Sequence, residues 1–167
     1  MRIDTDRFGT IELKTSEVIN FPAGVIGFPT DKNFALIRHG NSECIGWLQS
    51  LDNGALALPV VSAHGLTPDY PDVPITDAAR EAGIAESDNE LAVLAVLCAP
   101  RGQPATVNLM APIVVNSTTR QGAQIALDGT RFSTRELFLL SHGASGDTTT
   151  PRSQDAKTAG PAIPPAE

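Results

Sequence analysis

Seven carboxylates crowd one stretch of this 167-residue chain: Asp69, Asp72, Asp77, Glu81, Glu86, Asp88 and Glu90, with Arg80 as the single base among them. The stretch carries a local net charge of −6 against −7 for the whole chain. A concentrated patch of one sign steers a partner of the opposite sign and repels phosphate backbones, so direct nucleic-acid binding is disfavoured and a basic partner is the functional reading. The bland alternative is a solvated face kept polar for solubility.

Other residue types capable of chemistry are scattered. His39, His64 and His142 show no His-x-x-His or His-Glu-x-x-His spacing, so a metal site needs distant positions to converge. Cys44 and Cys98 lie far apart in sequence, which excludes a disulfide framework and paired-thiol zinc motifs and reads as two isolated buried thiols. Either thiol with His39 or His64 is the only nucleophilic pairing on offer. No nucleophile elbow accompanies it, and Cys98 falls in a run that reads as a buried strand, where a thiol is inert. The Pro22-Ala23-Gly24-Val25-Ile26-Gly27-Phe28-Pro29 run has glycines three apart but no neighbouring cation. It reads as a tight turn needing glycine backbone angles rather than a phosphate cradle. Trp47, the sole tryptophan, reads as core. Asn108 and Asn116 bracket a second apolar run and suit the satisfaction of turn backbone.

The elements that must position these groups follow a regular rhythm. Short apolar runs at 10–13, 18–21, 34–38, 45–50, 55–61, 91–98, 106–109, 113–116 and 124–127 are separated by turn residues. That spacing predicts an all-β sandwich or barrel, with 91–98, apolar on both faces, as a central strand. One short helix is predicted over 76–83, with Thr76 as cap, Asp77 in the first turn and Gly83 at the end, which seats the acids on and around a surface helix. Residues 141–167 hold one of Ile, Leu or Val and no aromatic, while Gly, Pro, Ser and Thr fill 14 of 27 positions. They are expected to form a disordered tail behind a single domain over 1–140. With no membrane-length apolar stretch and no signal-peptide core, a soluble cytoplasmic protein is expected.

Four blocks, in order, carry a resemblance. Phe21-Pro22-Ala23-Gly24-Val25-Ile26-Gly27-Phe28, then Trp47-Leu48-Gln49-Ser50, then Pro68-Asp69-Tyr70, then the run Asn108-Leu109-Met110-Ala111-Pro112-Ile113-Val114-Val115-Asn116 resemble the FliW family of flagellar assembly factors over about residues 1–140. The resemblance implies a small antiparallel β-barrel-like domain without catalysis or cofactor, monomeric when free. It implies two protein partners, flagellin and the translational repressor CsrA (carbon storage regulator), exchanged so that free factor sequesters the repressor. The net negative charge and the lack of a membrane-length apolar stretch predict no direct contact with nucleic acid and no membrane partner. Asp69, Tyr70, Asp72, Asp77, Glu81, Glu86 and Asp88 are the candidate partner-binding residues. Phe21, Pro22, Gly24, Gly27, Phe28, Trp47, Leu48, Gln49, Ser50, Asn108, Pro112 and Asn116 are the candidate scaffold. Ser62-Ala63-His64-Gly65-Leu66 departs from the family pattern in a loop able to contact a partner. The competing readings are a small-ligand-binding barrel or enzyme built on Cys44, His39 and His64, and an OB-like nucleic-acid binder.

Overall fold

Runs of Val, Ile and Leu bounded by Gly, Pro, Asn and Asp favour extended pairing, because branched side chains fit a pleated, half-buried surface. The computed structural model describes residues 1–40, 42, 44–64, 66, 70, 75–84, 90–127 and 131–139. Among the described residues the elements are β1 (Arg2–Thr5), β2 (Gly9–Glu12), a single 3-10 turn (Thr15–Glu17), β3 (Val18–Asn20), β4 (Asn33–Arg38), β5 (Ile45–Ser50), β6 (Ala57–Ser62), α1 (Ile75–Glu81), β7 (Leu91–Cys98), β8 (Thr106–Asn116), β9 (Gly122–Gln124) and β10 (Glu136–Leu137). β1 and β2 make a separate hairpin with Ile3 opposite Ile11. The other strands form one antiparallel sheet in the order β10-β8-β7-β6-β5-β4-β3, with β9 also pairing β8. No helix among them is long and apolar enough to cross a membrane. The expected tail, 141–167, lies outside the described residues.

The sheet curls until its ends nearly meet. Asn20, at the end of β3, bridges Gln121 and donates its N–H to Arg120 O at 2.8 Å. Gly122 sits against Phe21 at this seam, where a Cβ would come within 2.6 Å of Phe21 Cζ. The barrel-like, all-β architecture with one short helix is as expected from the sequence.

The two faces of the sheet bury separate cores. Inside the barrel, Ile19, Phe21, Phe34, Leu48, Val60, Leu94, Ile113 and Val115 pack together. Outside it, α1 and the segment around Phe132 and Phe138 cover Val61, Val93, Ala95, Val107, Leu109 and Val114. Like β6 and β7, β8 serves both cores by alternation, but which of its residues face which core switches midway. Asn108 opposes Val96 and Ile113 opposes Leu94, which leaves residues 109–112 opposite Ala95 alone. The predicted strands 106–109 and 113–116 are therefore one strand with a wide bulge, a device that re-aims side chains. Asn108 Oδ1 accepts the Ala111 N–H at 2.9 Å to hold the bulge. Pro112, with no N–H to lose, belongs there for the same reason.

α1 begins at Ile75, which is buried, so Thr76 lies inside the helix and does not cap it. Its C-terminus matches expectation: Gly83 has φ +69°, its N–H donates to Arg80 O at 2.9 Å, and Ile84 N–H donates to Ala79 O at 2.8 Å. Those two bonds make a Schellman cap, and its apolar closure is present, since Ile84 and Ala79 are both buried.

Candidate partner-binding surfaces

Helical periodicity sorts α1 into two faces: Ile75 and Ala79 enter the outer core, while Asp77, Arg80 and Glu81 are exposed. Asp77 and Glu81, four apart, share the outward side. Asp77 Oδ1 is 2.8 Å from Arg80 Nη1 across a solvated pair. Asp69, Asp72, Glu86 and Asp88 lie outside the described residues. Glu90 holds structure together: its Oε2 accepts from Asn116 Nδ2 at 3.3 Å and its carbonyl accepts the Ser117 N–H at 2.8 Å.

Tyr70 is a correction to the sequence reading. At 3% exposure it is buried against Phe132, edge to face at 5.0 Å, and its hydroxyl donates to Leu109 O at 3.2 Å. Burial pushes its phenol well above the usual range. Tyr70 anchors the chain beside β8 and offers no contact surface, because its ring fills the outer core.

Asn116 behaves as expected of a strand-end asparagine, with more reach. Its Nδ2 donates to Ile84 O at 2.9 Å, just past α1, and its Oδ1 accepts the Thr118 and Thr119 N–H groups at 2.8 Å each. One buried amide thus joins the helix end to the β8–β9 turn.

A second surface opens at the barrel mouth. Val25, Leu58 and Val96, side chains belonging to the inner core, continue outward into an open groove of about 350 Å³ whose rim includes Ile26, Phe28 and Met110. Ile26 is 60% exposed, unusual for so large an aliphatic. The glycine turn builds this rim. Gly24 has φ +75°, and a Cβ there would come within 2.5 Å of Phe28 O, so the predicted need for glycine is met by both angle and space. Gln124 pins the rim to the bulge: its Oε1 accepts the Ile26 N–H at 2.9 Å and its Nε2 donates to Ala111 O at 3.0 Å. The sequence reading missed this groove. The available signal was Ile26, an aliphatic placed between two glycines of a turn.

The Trp47-Leu48-Gln49-Ser50 block divides by strand alternation. Leu48 enters the inner core, whereas Trp47 and Gln49 face the other side of β5. Trp47 is half-buried, which corrects its assignment to the core. Arg7 stacks over its ring at 3.8 Å, Phe8 meets it edge-on at 6.1 Å, and its Nε1–H donates to His39 Nδ1 at 3.2 Å. Gln49 is buried, its Nε2 donating to Gly54 O at 3.2 Å and Leu56 O at 3.0 Å. Gly54 O in turn accepts the Asp6 N–H at 3.1 Å. The outer face of β5 is thus the platform on which the β1–β2 hairpin lands. Ser50 Oγ donates to the buried Asp31 at 2.7 Å and accepts the Asn53 N–H at 3.0 Å, fixing the following turn.

The cysteines also depart from expectation: both are exposed, Cys98 because it is the last residue of β7 and Cys44 because it precedes β5. Neither they nor His39 and His64 line the groove. Ser62 N–H donates to Cys44 O at 3.0 Å, which places the first residue of the departing stretch beside the entry to β5, at the sheet end holding His39. Among the described residues, no group of three or more His, Cys, Asp or Glu stands close enough to hold a metal ion.

A family model described as FliW protein matches residues 2–138. The chain is 33% identical over 139 residues to the flagellar assembly factor FliW of Geotalea uraniireducens, covering 83% of this chain and 85% of the relative. It is 35% identical over 134 residues to that of Thermotoga neapolitana, with coverages of 79% and 89%. Among solved structures, a crystal structure of the flagellar assembly factor FliW superposes with a TM-score of 0.72 at 26% identity, covering 82% of this chain and 96% of that one.

Proposed function

Because the chain belongs to the FliW family of flagellar assembly factors, we propose that it works by holding two protein partners in alternation, flagellin and the translational repressor CsrA. The observation that supports the repressor half is the outward face of α1. Asp77 and Glu81 stand exposed on a helix fixed from behind by Ile75, Ala79 and the Schellman cap, within the segment that carries seven acids and one base. A repressor that grips RNA must present a basic surface, and an acidic helix complements it chiefly by steering encounter and fixing register. Sequestration of this kind needs no bond-making, and the reading assigns the protein no catalytic step.

The test is the double reversal Asp77→Lys/Glu81→Lys. Both side chains are exposed, and an exposed pair such as Asp77–Arg80 contributes about 0–1 kcal/mol, so the fold persists. Stopped-flow association with CsrA is expected to slow about tenfold or more at low salt. The gap should narrow at about 0.5 M salt, where the Debye length falls to roughly 4 Å. Flagellin binding, measured on the same variant, is the control. Parental association rates across the salt series would reduce the α1 face to solvated surface and send the search for the repressor site elsewhere.

A further inference from the structure

We propose that the groove at the barrel mouth receives a proline-rich extended segment, and that its occupant is residues 161–165 of this same chain, Pro-Ala-Ile-Pro-Pro. The groove has the chemistry such a segment requires. A polyproline II strand presents carbonyls that no internal bond satisfies, together with apolar side chains, and it docks where an apolar, aromatic-walled surface carries a few donors. Here Phe28 supplies the ring, while Leu58 and Val96 supply the apolar floor and Met110 its apolar rim. Two polar side chains on the lining, Asn108 through Nδ2 and Thr134 through Oγ1, make no hydrogen bond among the described residues, although Asn108 Oδ1 is engaged within the bulge. They are the available donors. Gln124, the third polar liner, is spent at both ends on Ile26 and Ala111 and serves to hold the walls apart.

Position and reach select the occupant. Thr134 lines the groove, and β10 follows at once, with Glu136 opposite Val107 and Leu137 opposite Thr106. The chain leaves β10 at Leu137, opposite Thr106 and so two strand positions from Asn108, on the order of 7 Å at the usual rise. Ile163 is the only Ile, Leu or Val within 141–167, and it stands between Pro161 and Pro164-Pro165. About 24 residues separate it from Leu139, and a Gly/Ser/Thr-rich connection of that length has a root-mean-square span of about 27 Å, enough to reach the groove. Such a tether supplies an effective concentration on the order of mM, so even a weak site is substantially filled in cis. The family match ends at residue 138, so the proposed occupant lies beyond the matched domain. Any partner that uses the barrel mouth must displace it.

The experiment compares methyl resonances of the full chain with those of the full-length variants Ile163→Asp and Ala126→Glu, the latter placing a charge on an exposed lip of the groove. Ile163→Asp is expected to shift the methyls of Met110 and Ile26 and leave those of Leu48, inside the barrel, in place. A peptide of residues 158–167 added to the Ile163→Asp chain should restore the parental positions with half-saturation on the order of mM. It should fail to do so when Ala126→Glu is also present. Unmoved groove methyls in Ile163→Asp, or a peptide that leaves them unmoved, would overturn the proposal. Shifts that grow with protein concentration would overturn it too, by assigning the occupant to a second copy.

Discussion

Replacing Trp47 by alanine should unfasten the amino-terminal hairpin before it harms the barrel. Trp47 is half-buried under Arg7 and Phe8 on the outer face of β5, and the hairpin's other described tether nearby is the single Asp6 N–H to Gly54 O bond of 3.1 Å. A tryptophan side chain exposes up to about 250 Å². Sheltering half of that at about 25 cal/mol per Å² contributes about 3 kcal/mol, an upper figure because unfolded chains already shelter some surface. The Arg7 stack adds about 0.5–1 kcal/mol at an exposed site. Trp47→Ala should therefore cost about 3 kcal/mol. Trp47→Phe, which keeps a ring but loses the bond to His39, should cost about 1 kcal/mol. Urea unfolding followed by far-ultraviolet circular dichroism gives both values, since the only tryptophan is the residue being changed. Native-state hydrogen exchange supplies the location: amides paired across Arg2–Thr5 and Gly9–Glu12 should open about a hundredfold more readily, with those between β7 and β8 far less affected. A loss under about 1 kcal/mol with unchanged hairpin exchange would refute the platform, and a loss above about 5 kcal/mol would return Trp47 to the core.

Gly24→Ala forces a side chain into φ +75° and against Phe28 O, so it should cost more than about 2 kcal/mol. A fall of at least about 4 °C in the thermal midpoint would register that loss. Burial raises the Asp52 pKa, but hydrogen bonds from the Asn33 side chain and from the Asn33 and Lys32 N–H groups outweigh it and leave the pKa lowered. A lowered native pKa stabilises above the unfolded value and is lost as pH falls through the native one. The stability gap between parent and Asp52→Asn, measured by urea titration, should therefore be full above about pH 4 and close below it. Truncation after Leu140 should move the thermal midpoint by no more than about 2 °C, because residues 141–167 hold a single Ile, Leu or Val; a larger drop in a calorimetric scan would place folding contacts in that segment.

Strand rhythm made β5 and β7 legible to the residue, because alternation and turn punctuation are local properties. The bulge in β8 was hidden because Asn108-Leu109-Met110-Ala111-Pro112 reads as two strands with a break, and only pairing to Ala95 shows that the chain continues. β10, two residues long, has too little pattern to announce itself. Trp47 and Tyr70 were misplaced in opposite directions for a common reason. Residue type records how much apolar surface a side chain can bury, while the choice between core and surface depends on what lands on it: Arg7 and Phe8 on Trp47, Phe132 on Tyr70. The groove was illegible because its walls come from the 22–29 turn, β6, β7, β8 and β9, which no window of sequence contains.

The bulge between Asn108 and Ile113 makes chain length itself a specification. On its near side odd-numbered Val107, with Leu109 at the start of the bulge, faces the helix-covered core; after it, odd-numbered Ile113 and Val115 face the barrel interior. Side chains alternate with a strict period of two, so deleting or inserting one residue within 109–112 would turn one half of the strand over, presenting the wrong set to both cores at once. A change of two residues preserves the alternation and alters only the length of the excursion. The stretch therefore tolerates, as far as face alternation goes, only even changes of length, while Leu109 must still fill the outer core. An alignment or a redesign that places a single-residue gap there is describing a different protein.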